Sequence, residues 1–201
     1  MARYRGPKHR LARREGKNIL EKTSESLTRR LNIPPGMHAV RSRRRVSEYG
    51  IQLREKQVAK RTYNLLEKQF RKYYDVAKKV KGKTGEKLLQ MLETRLDNVV
   101  YRLGFAPSRN MARQLVSHRH ISINGKVVNI PSYKIKVNEV VSIGDKAMKI
   151  PSVAKLLENE NFKVLDWLER KANSGKVNAI PTRDQIPTDV NEQLIVEFYS
   201  K

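Results

Sequence analysis

Residues 92–128 read LETRLDNVVYRLGFAPSRNMARQLVSHRHISINGKVV. In this stretch the apolar spacing changes from helical to alternating, and that change decides the fold. Leu92, Leu96, Val99, Val100 and Leu103 continue a series begun at Leu88 and Leu89, three and four apart as one helix face requires. Gly104 stops that helix. Pro107 then precedes Ser108, whose hydroxyl suits an N-cap. The helix it opens, expected to reach His118, divides into two sides. Met111, Ala112, Leu115 and Val116 are apolar; Arg109, Asn110, Arg113, Gln114 and Ser117 are polar. Ile121 and Ile123 lead into Asn124-Gly125, with Lys126, Val127 and Val128 beyond. Asn-Gly between β-type runs predicts a two-residue hairpin.

C-terminal to the hairpin, strand-like pieces are expected at 133–137 and 140–143, and a short helix near 152–160. Gly175 and Pro181 read as loop markers. The tail 191–199, NEQLIVEFY, is apolar enough to return to the body as a helix. On the N-terminal side, Ser47 with Glu48 behind it marks a helix start. That helix is expected to run to about residue 60. The next carries Tyr63, Leu66, Phe70, Tyr73, Tyr74, Ala77 and Val80 on one stripe, with Lys68, Arg71, Lys72 and Lys79 opposite. The tyrosines could stack on bases, but their place on the apolar stripe favours the core. Gly82-Lys83-Thr84 ends like a phosphate-binding P-loop. That motif needs a glycine where Ala77 stands and a strand before it, so the segment reads as a helix end and a helix start.

The first 45 residues are dense in charge and poor in apolar periodicity, and little core of their own is expected. Short helices are expected near 7–15 and 24–31. Pro34-Pro35-Gly36 breaks any helix, and Arg41, Arg43, Arg44 and Arg45 follow with no acid beside them. That cluster reads as a phosphate-contacting loop rather than a solvated one.

The whole chain carries 43 Lys and Arg against 20 Asp and Glu over 201 residues, a formal net charge of +23. Residues 1–60 hold 17 basic and 5 acidic side chains, so about half the excess lies in the first three tenths. A field of this size repels itself unless a polyanion neutralises it. Nucleic acid is the expected polyanion, because each cation at a phosphate releases a condensed counterion. A membrane surface is the rival, disfavoured by the lack of a long apolar run, signal pattern or lipidation motif. The absence of cysteine removes disulfides, thiolate chemistry and sulfur-ligated zinc. His118 and His120 lack the further ligands that a metal would need.

A helix pair with a hairpin and basic side chains makes a compact RNA-binding surface. Arg109 and Arg113, four apart, are expected on one side with Arg119 nearby, gripping phosphate by paired hydrogen bonds. Asn110, Gln114, Ser117 and His118 could reach sugar hydroxyls or bases. An ordinary solvated helix face is the competing reading.

The 92–128 stretch resembles the RNA-binding module that takes its name from small-subunit ribosomal protein four, the S-four module. It also occurs in pseudouridine synthases, tyrosyl-tRNA synthetases and heat-shock RNA binders. Segments 1–16 (MARYRGPKHRLARREG), 47–57 (SEYGIQLREKQ), 69–71 (QFR), 82–86 (GKTGE) and 192–201 (EQLIVEFYSK) are similar to the ribosomal family itself, in its cysteine-free bacterial or organellar form. The resemblance implies an α+β fold. A mostly helical N-terminal domain would hold an inserted S-four module of two short helices plus a small antiparallel β-sheet. The expected division is a basic arm over 1–45, a helical domain over 46–91 completed by 176–201, and the module over 92–175.

By the same resemblance the chain would be a structural constituent of the small ribosomal subunit. It would bind rRNA at a junction in the 5′ domain and nucleate assembly of the subunit body. It would lie where mRNA enters, beside small-subunit ribosomal protein five, and influence translational accuracy. Arg3, Arg5, Lys8, Arg13 and Arg14 match the rRNA-embedded arm; Arg41, Arg43, Arg44 and Arg45 match the loop facing mRNA. Arg54, Lys56, Arg61, Lys68, Arg71, Lys72 and Arg95 are further expected rRNA contacts, with Arg109, Arg113, Gln114, Ser117, His118 and Arg119 of the module. No catalytic residue, metal, cofactor or membrane is implied, and the place is the cytoplasm or an organellar stroma or matrix. The four-cysteine zinc site of some relatives is absent here. Nothing is carried over onto 21–33 or 145–166. The alternatives are an RNA-modifying enzyme anchored by the module, for which no catalytic domain is left over, and a basic protein that compacts any duplex.

Overall fold

Asn124 and Gly125 both take positive φ, 47° and 81°, and this type I′ geometry matches the twist of the strands it joins. Around that turn a computed structural model describes residues 4–19, 24–37, 46–159 and 162–200. In chain order these form α1 (Lys8–Glu15), α2 (Glu25–Arg30), α3 (Glu48–Thr62), α4 (Glu67–Lys79), α5 (Thr84–Glu93), α6 (Leu96–Arg102), α7 (Arg109–Ser117), β1 (Ile121–Ile123), β2 (Lys126–Val127), β3 (Val140–Ile143), α8 (Asp145–Met148), α9 (Pro151–Leu157), β4 (Leu168–Lys171), β5 (Ser174–Val177) and α10 (Glu192–Ser200). The chain divides into two compact units, Met1–Gly85 with Thr188–Lys201, and Glu86–Pro187.

The first unit is helical. α1 ends at Gly16, in the left-handed conformation that glycine tolerates best. Ser47 caps α3, its hydroxyl accepting from the Gly50 N–H at 3.2 Å. α4 turns Phe70, Tyr74 and Ala77 inward, and α10 lays Tyr199 against Phe70 and Tyr74. Two tyrosines of the stripe therefore pack rather than present stacking faces, Tyr63 at 3% exposure and Tyr74 at 4%, while Tyr73 is half-buried. The residues before 46 that are described do not form a separate arm. Ala12 and Leu27 are buried, and the buried Glu15 carboxylate of α1 is held by Arg54 and Arg61 of α3. Composition understated this segment because a few buried apolar side chains, Ala12, Ile19 and Leu27, are reinforced by ionic anchoring.

The second unit packs α6 and α7 on an antiparallel sheet of order β2-β1-β3-β5-β4. Ile121 faces Ile143, and Ile123 faces Val141. These side chains join Leu96, Val100, Leu115, Val116, Val177 and Trp167 in one core. The single helix expected over 86–103 is broken. Arg95 leaves it at φ −69°, ψ 141° and bridges Lys134, while the Leu96 N–H donates to the Tyr133 carbonyl at 2.9 Å. Of the strand expected over 133–137, this one bridge is formed. β4 and β5 were not expected, and Gly175 is a strand residue rather than a loop marker. The return to the first unit consequently falls at 187/188 rather than 175/176, since residues 176–177 still pair with β3 and β4.

Gly175 is required by packing. A Cβ there would stand 2.5 Å from Leu103 Cδ2 and 3.1 Å from the Glu169 carbonyl oxygen. We expect Gly175→Ala to destabilise the second unit by about 1–3 kcal/mol through overpacking. The check is the urea midpoint of the fluorescence of Trp167, the single tryptophan. An unchanged midpoint would mean that Leu103 moves aside without cost.

Candidate nucleic-acid interface

The polar side of α7 is not one surface. Arg113 lies inward at 3% exposure, with Arg95 at 2% and Asp97 at 5%. Arg95 grips Asp97 with two bonds, Nε to Oδ1 at 3.0 Å and Nη2 to Oδ2 at 2.6 Å. Arg113 Nη1 approaches the same Oδ2 at 3.7 Å. The expectation that Arg95 and Arg113 contact rRNA is therefore corrected: both guanidiniums lie buried beside one acid, Arg95 hydrogen-bonded to it and Arg113 Nη1 near it but beyond hydrogen-bond distance, and burial without such a counter-charge would cost several kcal/mol.

What α7 leaves at the surface is its C-terminal end. Gln114, Ser117, His118 and Arg119 are exposed. Ser108 caps the start of the helix through the Met111 N–H at 3.4 Å. Its end is closed by Arg119 at φ 63° and by the His120 N–H bonded to the Leu115 carbonyl at 3.0 Å. This left-handed closure turns the chain straight into β1 and holds His118 and Arg119 outside. The rings of His118 and His120 lie 6.3 Å apart. Arg109 is half-buried at the other end of the helix, its Nε donating to Asn98 Oδ1 at 2.7 Å.

In the first unit the expected contacts divide in the same way. Lys68, Arg71 and Lys72 are exposed on α4, as are Lys78, Lys79, Lys81 and Lys83 around its end. Positions 68, 71, 72 and 79 repeat at helical spacing, so their charges add on one face, interrupted by Asp75. Arg5 and Arg14 are exposed and Lys8 half-buried. Arg13 instead donates to the Ile33 and Pro34 carbonyls at 2.9 and 3.1 Å, bracing the loop after α2. Arg54 and Arg61 clamp Glu15.

Lys56, 4% exposed, is corrected from rRNA contact to core cation. Its ammonium meets Glu67 Oε1 at 2.8 Å and sits 4.5 Å over the Phe198 ring. Lys60 meets Glu67 Oε2 at 2.9 Å. Burial opposes ionisation of Glu67, but hydrogen bonds from Lys56, Tyr199 and Lys60 outweigh it and hold the carboxyl down at about 2. Burial and the bond to Glu67 push the Tyr199 phenol well above its ordinary range. Arg3, Arg41, Arg43, Arg44 and Arg45 lie outside the described residues. Among the described residues no cluster of three or more His, Asp or Glu could hold a metal, and no helix is long and apolar enough to cross a membrane.

The sequence reading missed the side chains that surround Arg109. Glu93, Asn98 and Arg102 meet only because the chain breaks at Thr94 and Arg95, and a continuous helix would not bring them together in this way. Lys78, Lys81 and Lys83 could have been found from charge alone.

Two family profiles cover this architecture in series. That described as the ribosomal protein S4/S9 N-terminal domain matches residues 3–93, and that described as the S4 domain matches 94–141. The junction falls where the helix breaks. The fold and its basic faces thus define an S4-domain protein of the RNA-binding class. Proteins called small ribosomal subunit protein uS4 are 51% identical in Parabacteroides distasonis over 203 residues, 52% in Marinobacter nauticus over 207 and 52% in Dictyoglomus turgidum over 208, each alignment covering all of both chains. This chain belongs to the uS4 family of small ribosomal subunit proteins.

Proposed function

We propose that the chain is a structural constituent of the small ribosomal subunit, binding rRNA through the exposed end of α7 and the basic face of α4, and that it performs no catalysis. The observation that carries this reading is the exposed row Gln114, Ser117, His118 and Arg119, set at the rim of the module by a helix whose other side is locked into the core. Such a row offers amide, hydroxyl, imidazole and guanidinium groups to sugar hydroxyls and phosphates, the groups by which folded RNA is read. The most buried carboxylates, Glu15, Glu93 and Asp97, are engaged by arginines rather than aimed into a pocket, which supports a binding role.

The finer reading follows the family. The protein binds early at a junction in the 5′ domain and nucleates the subunit body. It lies where mRNA enters, with Arg41, Arg43, Arg44 and Arg45 toward the message and small-subunit ribosomal protein five as neighbour, and so bears on accuracy. Its place is the cytoplasm, or the stroma or matrix of an organelle. Arg5, Lys8, Arg14, Lys68, Arg71, Lys72, Arg109, Gln114, Ser117, His118 and Arg119 remain proposed contacts, joined by Lys78, Lys79, Lys81 and Lys83.

The test is competition between a 5′-domain rRNA fragment and random duplex DNA, followed over salt. We expect preference for the fragment and a slope of log affinity on log salt of about −5 or steeper. Equal affinity for both would defeat the reading. Replacing Lys68, Arg71 and Lys72 together by Gln should flatten the slope by about 2–3, because each phosphate contact contributes about 0.9.

A further inference from the structure

Arg109 opens α7 with its guanidinium framed by side chains from the preceding helices of the same unit. Its Nε donates to Asn98 Oδ1 at 2.7 Å, and its Cζ lies 4.6 Å from the centre of the Tyr101 ring. Asn98 is only 2% exposed and its amide cannot turn. The Nδ2 group donates to the Glu93 carbonyl at 3.0 Å and to Glu93 Oε2 at 2.6 Å. Both donors being committed to Glu93, the amide oxygen must face Arg109. Glu93, fully buried, is fixed in turn by Arg102, Nη2 to Oε1 at 2.9 Å and Nε to Oε2 at 3.1 Å.

We propose that Glu93, Asn98 and Tyr101 are positioning residues that hold the Arg109 guanidinium in one orientation for an RNA phosphate. This rests on the reading that the module binds rRNA. A surface arginine samples many rotamers and loses that freedom on binding. Arg109 is held at Nε by the amide oxygen and at one face by the ring, so it meets its phosphate already ordered. Lysine could not replace it: an ammonium lacks both the Nε donor and the flat face. The same side chains could instead only pack α6 against α7, and that alternative decides the experiment.

The test measures affinity of the full chain for the 5′-domain rRNA fragment over a salt series. The variants are Arg109→Ala, Tyr101→Leu, Asn98→Ala, Tyr101→Phe and the double variants with Arg109→Ala. Trp167 fluorescence on urea checks that each is folded. Arg109→Ala is expected to weaken binding about tenfold or more and to flatten the salt slope by about 0.9. Tyr101→Leu and Asn98→Ala are expected to weaken it at least about threefold with Arg109 present and not at all without it. Tyr101→Phe, which keeps the ring face, should bind as the parent does. Equal weakening in both backgrounds would reduce the frame to packing, and no effect of Arg109→Ala or Tyr101→Leu would overturn the proposal. Should Asn98→Ala not fold, Tyr101→Leu decides. A parent chain that failed to prefer the fragment over duplex DNA would instead refute the rRNA reading itself.

Discussion

Asp97→Ala should lower the stability of the second unit by about 3–5 kcal/mol, the cost of leaving buried guanidiniums without their counter-charge. Asp97 is the acid that both Arg95 and Arg113 approach, at 2.6 and 3.7 Å. All three side chains are almost sealed from water, at 5, 2 and 3% exposure. Arg95 also stands at the break between α5 and α6, where its backbone bridges Lys134. Losing the carboxylate therefore loosens the helix break, the base of α7 and the segment that pairs with it. The measurement is the urea midpoint of Trp167, itself 1% exposed in the same core. A shift below about 1 kcal/mol, the scale of an exposed pair, would show that water reaches these arginines. Replacing the three residues together by apolar side chains of similar volume should restore much of the loss, because burying the ions was itself costly. RNA affinity would then separate stability from recognition, since the exposed row at the end of α7 is untouched.

The parts of this molecule legible in the sequence are those governed by neighbours along the chain. Asn124-Gly125 admits one kind of turn, Ser47 and Ser108 are caps because their hydroxyls accept from the N–H three residues on, and the apolar stripe of α4 follows from its period. The parts not legible are those settled by distant partners. Leu92, Leu96 and Val99 keep helical spacing straight through the break at Arg95, so periodicity alone continues the helix. The break exists because Leu96 and Ile135 find backbone partners across the unit, at Tyr133 and Thr94. Strands β4 and β5, LERK and SGKV, are short and carry lysine and glycine, and become strands only because β5 pairs with β3 and β4 with β5. The candidate site divides along the same line. Gln114, Ser117, His118, Arg119, Lys68, Arg71 and Lys72 stand outside as their helix faces indicated. Arg113 shares the spacing of Arg109 but is claimed by Asp97 on another helix, and Lys56 by Glu67 across a turn. Basic residues were easy to count, and which of them an acid had already taken was not.

Glu67→Ala should release α10, at a cost of about 2–4 kcal/mol at neutral pH. Glu67 gathers Lys56, Lys60 and the Tyr199 hydroxyl, which donates to Oε1 at 2.7 Å. Lys56 is the most sensitive member: at 4% exposure its ammonium has Glu67 as counter-charge, backed by the Phe198 ring. Tyr199→Phe removes one hydrogen bond and keeps the ring, so it should cost only about 1 kcal/mol. The network also fixes a pH dependence. The carboxyl is held at about 2 in the folded chain against an ordinary 4.5. Its stabilisation is therefore complete above 4.5 and is lost as pH falls toward 2, because the unfolded chain takes up the proton first. The Glu67 side chain is 45% exposed, so solvent screening leaves this acid-sensitive share at about 1–2 kcal/mol. Urea unfolding followed by far-UV circular dichroism, parent against Glu67→Ala, should show a gap that narrows by that amount between pH 5 and pH 2.5. Faster amide exchange in α10 of the variant should accompany it. A gap constant across the series would mean that Glu67 contributes by packing, with its charge irrelevant to how the C-terminal helix is held.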